Sequence, residues 1–461
     1  MLAMQIPYNN ISGDDLMFEK LFHLSGHNTT VGREVTAGFT TFLAMSYIIF
    51  IQPALLSGAG MDFGSVMMAT CLSSFVACLC MALLANYPIA LAPGMGENFF
   101  FFAVVTGMGY TWQKALGAVF LSGAVFILLS TFRLRERIIT AVPASLKSAI
   151  PAAIGVLITV IGLTQAGIVV KDPGGGIAML GDFHSQPVLL AIIGITVILL
   201  LMARNIRGAM LIGIVITAVI GMFMGVVQYR GIVSMPPSMA PTAFRLDISG
   251  AIEPGMISVL IVFLLMDMFD TVGTLIGVGE AAGMMEDGNL PRARQALLSD
   301  AIGTVVGSIF GTSTVTSYVE STTGVREGGR TGLTAVVVGL LMLLAIFFSP
   351  LVAMIGGGYP IFDENGILVT TLYPVTAPAL ILVGAFMMRS IRGCHWEDPT
   401  ESVPALLTIV GMAMTFNISN GLAFGFILYP VLKLMAGRGR EVSWLMYLLA
   451  LVFVLKFVFI T

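Results

Sequence analysis

The chain has 461 residues, of which 57% are hydrophobic and only 10% are charged, and its mean hydropathy is +0.97. A soluble globule of this length needs more polar surface than this composition supplies, so the lipid bilayer must be its solvent. The net charge is −3 and the chain has no run rich in lysine and arginine, which argues against a nucleic-acid partner.

Residues 1–32 precede the first apolar segment and are expected to be cytoplasmic. The first 25 residues lack a charged region followed by an apolar core, so we predict no cleavable signal peptide. The first membrane helix is then the element that directs insertion.

Fourteen apolar segments between residues 33 and 436 predict an all-α polytopic membrane protein with about 14 transmembrane segments. They span residues 33–57, 65–86, 90–107, 114–131, 141–168, 186–203, 208–227, 253–279, 293–311, 312–325, 331–349, 371–388, 402–417 and 419–436. The segments at 312–325 and 402–417 are too short to cross roughly 30 Å of hydrocarbon as regular helices, so we expect broken or half-spanning structure there. A last stretch, 443–460, is either a further crossing or an interfacial helix.

The distribution of positive charge predicts the orientation of these segments. With a cytoplasmic N-terminus and one crossing per segment, all but five of the 22 lysines and arginines fall on the cytoplasmic side, including Arg133, Arg135 and Arg137. The five exceptions are Lys114, Lys171, Arg230, Arg245 and Lys456. We therefore expect a multi-pass protein of the plasma membrane, which is the inner membrane in a bacterium.

The loop at 228–252 divides the chain into two halves of seven segments each. Because seven is odd, the second half must enter the membrane from the opposite side, which is the topology of an inverted repeat. The third segment of each half is short and interrupted by Gly, Pro, Ser or Thr: YPIALAPGMGENFFFFAVVTG in the first half and GTSTVTSYVESTTG in the second. Such a matched pair of interrupted segments indicates the midplane binding site of a transporter.

Four acidic residues stand out within the apolar segments: Glu97, Asp267, Asp270 and Glu320. Each costs roughly 2.5–3.5 kcal/mol at a helix centre, so four together indicate a functional site. Asp267 and Asp270 are three residues apart and share one helical face. The alternative is structural: the acids pair with buried donors or line a wet crevice, and Asp267 or Glu97 lies at a wet edge of the protein.

Four stretches carry a resemblance to a known family: FEKLFHLSGHNTTVGREVTAGFTTFLAMSYIIFIQP, NYPIALAPGMGENFFF, MDMFDTVGTL and YVESTTGVREGGRTGLTA. With them the chain resembles, almost end to end, the nucleobase:cation symporters of the azaguanine-resistance type, which are hypoxanthine, guanine and adenine permeases. The resemblance implies two intertwined seven-helix repeats. They form a core domain of residues 33–131 and 253–349 and a gate domain of 132–227 and 350–442, with an extracytoplasmic loop at 228–252 and a C-terminal apolar segment at 443–461.

The resemblance also implies a binding site between the third and tenth segments. Asp270 and Glu320 match the family's two substrate-binding carboxylates, and Asn98, Thr274 and Tyr318 match positions around the substrate. A purine presents N–H donors along one edge, and carboxylates accept such donors at fixed spacing. Nearby rings, chiefly that of Tyr318, are candidates for stacking on the base.

Three further residues have less certain places in this site. Asp267 matches no position that is essential in the family, and Ser321 flanks Glu320. Glu97 is a departure, because the family commonly has PGMGLNAFF where this chain has PGMGENFFF. Its presence leaves the identity of the substrate open.

The resulting prediction is secondary active uptake of a purine base by proton symport, with the core moving against the gate. The coupling proton is assigned to Asp267, Asp270 or Glu320, and the sequence does not distinguish among them. The alternatives are a xanthine or uracil carrier, or an anion transporter of the same fold. By analogy with related folds, a homodimer is one option for the assembly.

Other functional classes are less well supported by the sequence. No zinc-protease motif is present, and Asp267 and Asp270 share one helix, whereas an aspartyl dyad needs carboxylates from different elements, so we predict no enzyme. The stretch GVREGGRT has Arg330 where a phosphate-binding loop has lysine, and we interpret it as a turn. The four cysteines do not suggest a metal or disulfide site, and no cofactor is predicted.

Overall fold

The computed structural model describes residues 13–131, 142–171, 178–285, 290–362 and 368–459. The predicted cytoplasmic arginines Arg133, Arg135 and Arg137 lie outside these residues, as does residue 460 at the end of the last apolar stretch. Most apolar segments of the sequence correspond to one helix, because a chain in hydrocarbon must satisfy its backbone hydrogen bonds within the segment.

The first half begins with a short helix, α1 (Gly13–Phe22). The first apolar segment is α2 (Val31–Met45) followed by α3 (Ile48–Ser57), with a break at Ser46–Tyr47. Helix α4 (Phe63–Cys80) ends in a π-helical turn, Met81–Ala85. The remaining elements are β1 (Leu91–Pro93), α5 (Met95–Thr106), α6 (Trp112–Thr131), α7 (Ala144–Gln165), the paired strands β2 (Val169–Val170) and β3 (Met179–Leu180), α8 (Gln186–Ala203) and α9 (Ala209–Phe223).

The second half opens with the longest helix, α10 (Pro254–Ala282), and continues with α11 (Ala293–Phe310). The tenth apolar segment is strand β4 (Val315–Ser317) followed by the six-residue helix α12 (Ser321–Arg326). The other elements are α13 (Gly332–Ala345), α14 (Ser349–Gly356), the paired strands β5 (Tyr359–Phe362) and β6 (Leu368–Leu372), α15 (Ala377–Met387), α16 (Pro399–Thr415), α17 (Ile418–Met435) and α18 (Trp444–Phe459).

Eight stretches of the described chain are long and apolar enough to cross a membrane. They are Val31–Ser57, Phe63–Ala85, Trp112–Ser130, Ala144–Gln165, Gln186–Ala203, Pro254–Ala282, Gly332–Gly356 and Ile418–Met435. Shorter apolar helices occur at Met95–Thr106, Ala209–Phe223 and Trp444–Leu455. The chain is thus a helical multi-pass membrane protein, and the count of fourteen crossings stays a prediction.

The two short segments of the sequence behave differently. At 312–325 the expected break is present, because β4 precedes α12 there. At 402–417 a break is contradicted, because α16 is a continuous helix of 17 residues. At 1.5 Å per residue it is about 26 Å long, shorter than the hydrocarbon layer, so the half-spanning alternative stays a prediction. Helix α16 begins earlier than hydropathy suggested because Asp398 caps it, accepting a hydrogen bond from the Thr400 N–H at 2.9 Å.

Most of the helix packing falls within two groups of helices. In one group α11 packs against α4 and α6, α10 packs against α5, α6, β4 and α12, and α13 packs against α2 and α4. In the other group α7 packs against α15 and α16, α16 against α17, and α8 against α9 and α15. The interrupted third and tenth segments both lie in the first group.

An ion-pair network fastens α16, α17 and the turn before α18. The ammonium of Lys433, whose side chain is 1% exposed, lies 2.9 Å from Glu401, 3.2 Å from Glu441 and 3.7 Å from Asp398. Arg438 bonds to Asp398 at 2.6 Å and to Glu441 at 2.8 Å. A buried lysine is tolerated here because acidic partners surround it.

The GVREGGRT stretch forms a turn, as the sequence predicted. It contains the end of α12 and leads into α13. The fully buried carboxylate of Glu34 in α2 accepts hydrogen bonds from the backbone N–H groups of Arg330 at 2.8 Å and Thr331 at 3.3 Å. An internal carboxylate therefore takes the donors that a phosphate-binding loop would offer to a ligand.

Candidate functional site

The two interrupted segments meet as a pair of short antiparallel strands. In β1 and β4, Leu91 lies opposite Ser317, Ala92 opposite Thr316 and Pro93 opposite Val315. Strands within the bilayer need internal partners for their backbone groups, and each of these short strands supplies them to the other. Helix α5 begins just after β1 and helix α12 just after β4, and because the strands are antiparallel the two helices leave from opposite ends of the strand pair.

Ser321 supports this crossing. Its side chain is fully buried, and its hydroxyl accepts a hydrogen bond from the Ala90 N–H at 3.0 Å. The Tyr318 N–H donates to the Ala90 carbonyl at 2.9 Å on the same edge. Ser321, whose place was uncertain in the sequence, thus fixes the strands to one another.

Glu320 is half-buried at the start of α12 and is oriented by a residue that the sequence analysis missed. The Tyr47 hydroxyl donates a hydrogen bond to Glu320 Oε1 at 2.8 Å. Tyr47 lies at the break between α2 and α3, and its ring centroid is 6.5 Å from that of Tyr318. The sequence signal was a tyrosine in an apolar run, which alone does not identify a partner 273 positions away.

Asp270 lies on α10 beside the same crossing. Its carboxyl is half-buried and interacts with the Thr316 hydroxyl and, electrostatically, with Glu320. The next residue, Thr271, is hydrogen bonded to Thr316 through the two hydroxyls at 2.8 Å, which ties α10 to β4. Thr274 is buried one turn further along α10. The structure therefore brings Asp270 and Glu320 together as two partly accessible carboxyls.

Tyr318 and Asn98 are both anchored to Pro93 at the end of β1. The Tyr318 hydroxyl donates to the Pro93 carbonyl at 2.6 Å, and the Asn98 amide does so at 3.5 Å. Asn98 Oδ1 also accepts a hydrogen bond from the Ser313 hydroxyl. Buried Gln52 of α3, which the sequence analysis missed, donates to Ser313 at 3.1 Å. These bonds hold the segment before β4 against α3 and α5.

The remaining acids form a second group that is sealed from solvent. Glu97 is 1% exposed and Asp267 is 0% exposed, so the alternative that either lies at a wet edge is wrong. They are buried because the first turn of α5 packs against α10, and α11 closes the other side. Asp300 of α11, also 0% exposed, was missed by the sequence analysis and lies close to the Asp267 carboxyl.

In the described parts of the chain, no ion pair includes Asp270, Glu320, Glu97 or Asp267. The ion pairs there are formed by Lys114, Arg207, Lys433 and Arg438, and their partners are other acids. The described residues also contain no group of three or more His, Cys, Asp or Glu side chains arranged to hold a metal ion.

A cavity of about 360 Å³ opens elsewhere, at the end of the molecule near α1. It is lined by His27, Asn28, Asn86, Tyr87, Arg292 and Arg330, among others. None of the predicted site residues lines it. We therefore locate the candidate site by the strand crossing and its carboxyls, not by this cavity.

Comparisons with known proteins agree with this architecture. The model of the permease family (Xan_ur_permease) matches residues 32–424. The adenine permease AdeP of Escherichia coli K12 is 45% identical over 446 residues, which cover 96% of this chain and 96% of AdeP. The guanine/hypoxanthine permease PbuO of Bacillus subtilis 168 is 42% identical over 447 residues, which cover 95% of this chain and 99% of PbuO.

A solved structure shares the fold at low sequence identity. The transmembrane domain of the cyanobacterial bicarbonate transporter BicA superposes with a TM-score of 0.60 at 16% identity, covering 85% of this chain and 96% of that domain. The chain therefore shares the fold of that transmembrane domain. The permease family and the permease relatives point to a transporter and not to an enzyme. Together with the family match, this confirms the relationship that the sequence motifs predicted: the chain belongs to the permease family.

Proposed function

We propose that this permease carries a purine nucleobase (hypoxanthine, guanine or adenine) into the cell. The observation that supports it is the pair of partly accessible carboxyls, Asp270 and Glu320, held beside two tyrosines where the third and tenth segments cross. Relatives that align over nearly the whole chain are named adenine permease and guanine/hypoxanthine permease.

The chemistry of the pair suits the edge of a purine. Tyr47 bonds to one oxygen of Glu320, which fixes the orientation of the carboxylate and leaves it further acceptor capacity for N–H groups of a base. Asp270 supplies a second acceptor close by. The rings of Tyr47 and Tyr318 border these carboxyls and offer aromatic surface to a planar ligand. Asn98 and Thr274 complete the proposed site.

The proposed architecture is two inverted repeats of seven segments. The two groups of packed helices support a division into a core of 33–131 and 253–349 and a gate of 132–227 and 350–442. Alternating access would move one group against the other around the strand crossing. The charge distribution supports an N-terminus in the cytoplasm.

Proton symport is the coupling we propose. Carboxyls are the acidic groups at the site, and no ion pair of the described residues includes Asp267, Asp270 or Glu320. An uncompensated charge in this environment is costly, so proton binding and release offers the simplest way to change its charge as access alternates. Collapse of the pH gradient should abolish accumulation, whereas accumulation that follows a sodium gradient at fixed pH would refute proton coupling.

The test of substrate class is uptake of labelled hypoxanthine, adenine and guanine in a strain that lacks purine carriers. We expect this uptake to be saturable, and we expect unlabelled hypoxanthine, adenine or guanine to inhibit it by competition. Competition by xanthine or uracil alone would favour the alternative carrier. An anion transporter is the second alternative, since BicA shares the fold, but carboxyls at the crossing would repel an anion.

A further inference from the structure

A sealed carboxyl pair lies behind the partly accessible pair. Asp267 of α10 and Asp300 of α11 are both fully buried. If both carboxyls are ionised, no donor reaches Asp267 Oδ1. If either carboxyl carries a proton, Asp267 and Asp300 can form a hydrogen bond with one another. An ionised carboxylate only accepts hydrogen bonds, so contact between two carboxyls in a dry environment requires a shared proton. The geometry of this pair is therefore that of a proton-binding site.

Glu97 extends the pair to a cluster of three. It enters from the first turn of α5 and interacts electrostatically with Asp270 and Asp300. Its Oε2 atom is buried and has no hydrogen-bond partner, like Asp267 Oδ1. The space around it is closed, because a Cβ atom added to Gly94 would overlap this Oε2 atom. A buried carboxyl oxygen without a donor needs either a bound cation or a proton of its own.

The groups close to the cluster are acids and hydroxyls. Asp270 on α10 lies near Glu97 and Asp267, and Tyr318 beside α12 lies near Glu97. On α6 the basic residue Lys114 is bound to Glu253 at 2.7 Å. Thr304 and Ser317 approach Asp267 and Asp300 only at 3.5 and 3.4 Å. The described residues hold no metal-binding group here.

We propose that Glu97, Asp267 and Asp300 form a second protonation site that is separate from the substrate-binding pair, with Asp270 between the two. The accessible pair binds the base, and the sealed cluster stores protons. Glu97 adds a proton-binding group that the common family motif lacks, so this chain binds one more proton per molecule than a chain with leucine there. Protonation of the cluster does not depend on the proposed function, whereas its use in coupling rests on it.

The first measurement is infrared spectroscopy of the purified full-length protein in lipid, which detects the C=O stretch of protonated carboxyls. At pH 7 we expect this signal to decrease in Glu97→Gln and in Asp300→Asn, while Glu280→Gln, an exposed change on α10, leaves it unaltered. Glu97→Leu restores the residue common in the family and serves if an amide variant does not fold. An unchanged signal in the folded variants refutes the proposal. So does a wild-type signal that sodium chloride removes at fixed pH, because the cluster would then bind sodium.

The second measurement is the number of protons moved per purine in proteoliposomes, obtained from the reversal potential. We expect Glu97→Gln to lower this ratio while purine affinity stays within about twofold of wild type. An unchanged ratio refutes a part in coupling. If the wild-type protein transports no purine but the infrared differences persist, the proposed function fails and the protonation site stands.

Discussion

Replacement of Glu320 by glutamine tests the assignment of the substrate site most directly. The side chain keeps its size, and its amide oxygen can still accept the hydrogen bond that Tyr47 donates at 2.8 Å. That bond directs the amide N–H₂ toward the position where the base would present its own N–H. Two donors then face one another, and a buried polar group is left without a partner.

The expected cost follows from that mismatch. An unsatisfied buried donor costs roughly 1–3 kcal/mol. The dissociation constant of the preferred purine should therefore rise about fivefold to more than a hundredfold. Folding should be preserved, because the change removes a charge that no basic residue in the described parts of the chain compensates.

The assay is equilibrium binding of labelled purine to purified Glu320→Gln, with thermal unfolding measured in parallel. Asp270→Asn should behave in the same way, and Glu280→Gln on the same helix as Asp270 is the matched control. Binding close to wild type in both stable variants would refute the site. If a variant binds purine normally but no longer takes it up, the replaced residue acts in proton coupling and not in purine binding.

The sequence predicted the general plan of the site because its strongest signals are local. Interrupted third and tenth segments can be identified from Gly, Pro, Ser and Thr within apolar runs, and the strand pair β1–β4 shows that they meet. Asp270 and Glu320 were found because an acid within an apolar run is itself a signal. The continuous helix α16 was missed because its first turn, capped by Asp398, is polar and lies outside the hydropathy window.

What the sequence could not supply is the pairing of residues distant along the chain. The roles of Tyr47 and Gln52 depend on hydrogen bonds to residues more than 250 positions away. Tyr47 donates to Glu320 and Gln52 donates to Thr312. Asp300 was overlooked because it lies near the polar start of its apolar segment. Whether an acid is wet or sealed depends on which helices cover it, and this is decided by packing across the two halves of the chain.

Three further perturbations test other contacts. Tyr47→Phe removes the hydrogen bond to the Glu320 carboxylate, and a bond to a charged group is worth roughly 1.5–3 kcal/mol. Purine affinity should therefore fall about tenfold or more, while the melting temperature stays unchanged. Unaltered affinity would show that the bond does not orient Glu320. Lys433→Met leaves Glu401 buried without its cation and should destabilise the fold by about 3–5 kcal/mol in thermal or denaturant unfolding; a stable variant would contradict the ion-pair account. Two hydrogen bonds lower the pKa of the Asp398 carboxyl: the larger effect comes from the Thr400 hydroxyl and the next from the Arg438 guanidinium. A carboxyl whose pKa is lower in the folded protein than in the unfolded chain stabilises the fold. This stabilisation is complete above the unfolded-state pKa of about 3.9, and it is lost as the pH falls through the folded-state pKa. The melting temperature should therefore decrease in acid below about pH 4. Asp398→Asn should have a lower melting temperature at pH 7 and a shallower acid dependence, and an acid dependence identical to wild type would refute this assignment.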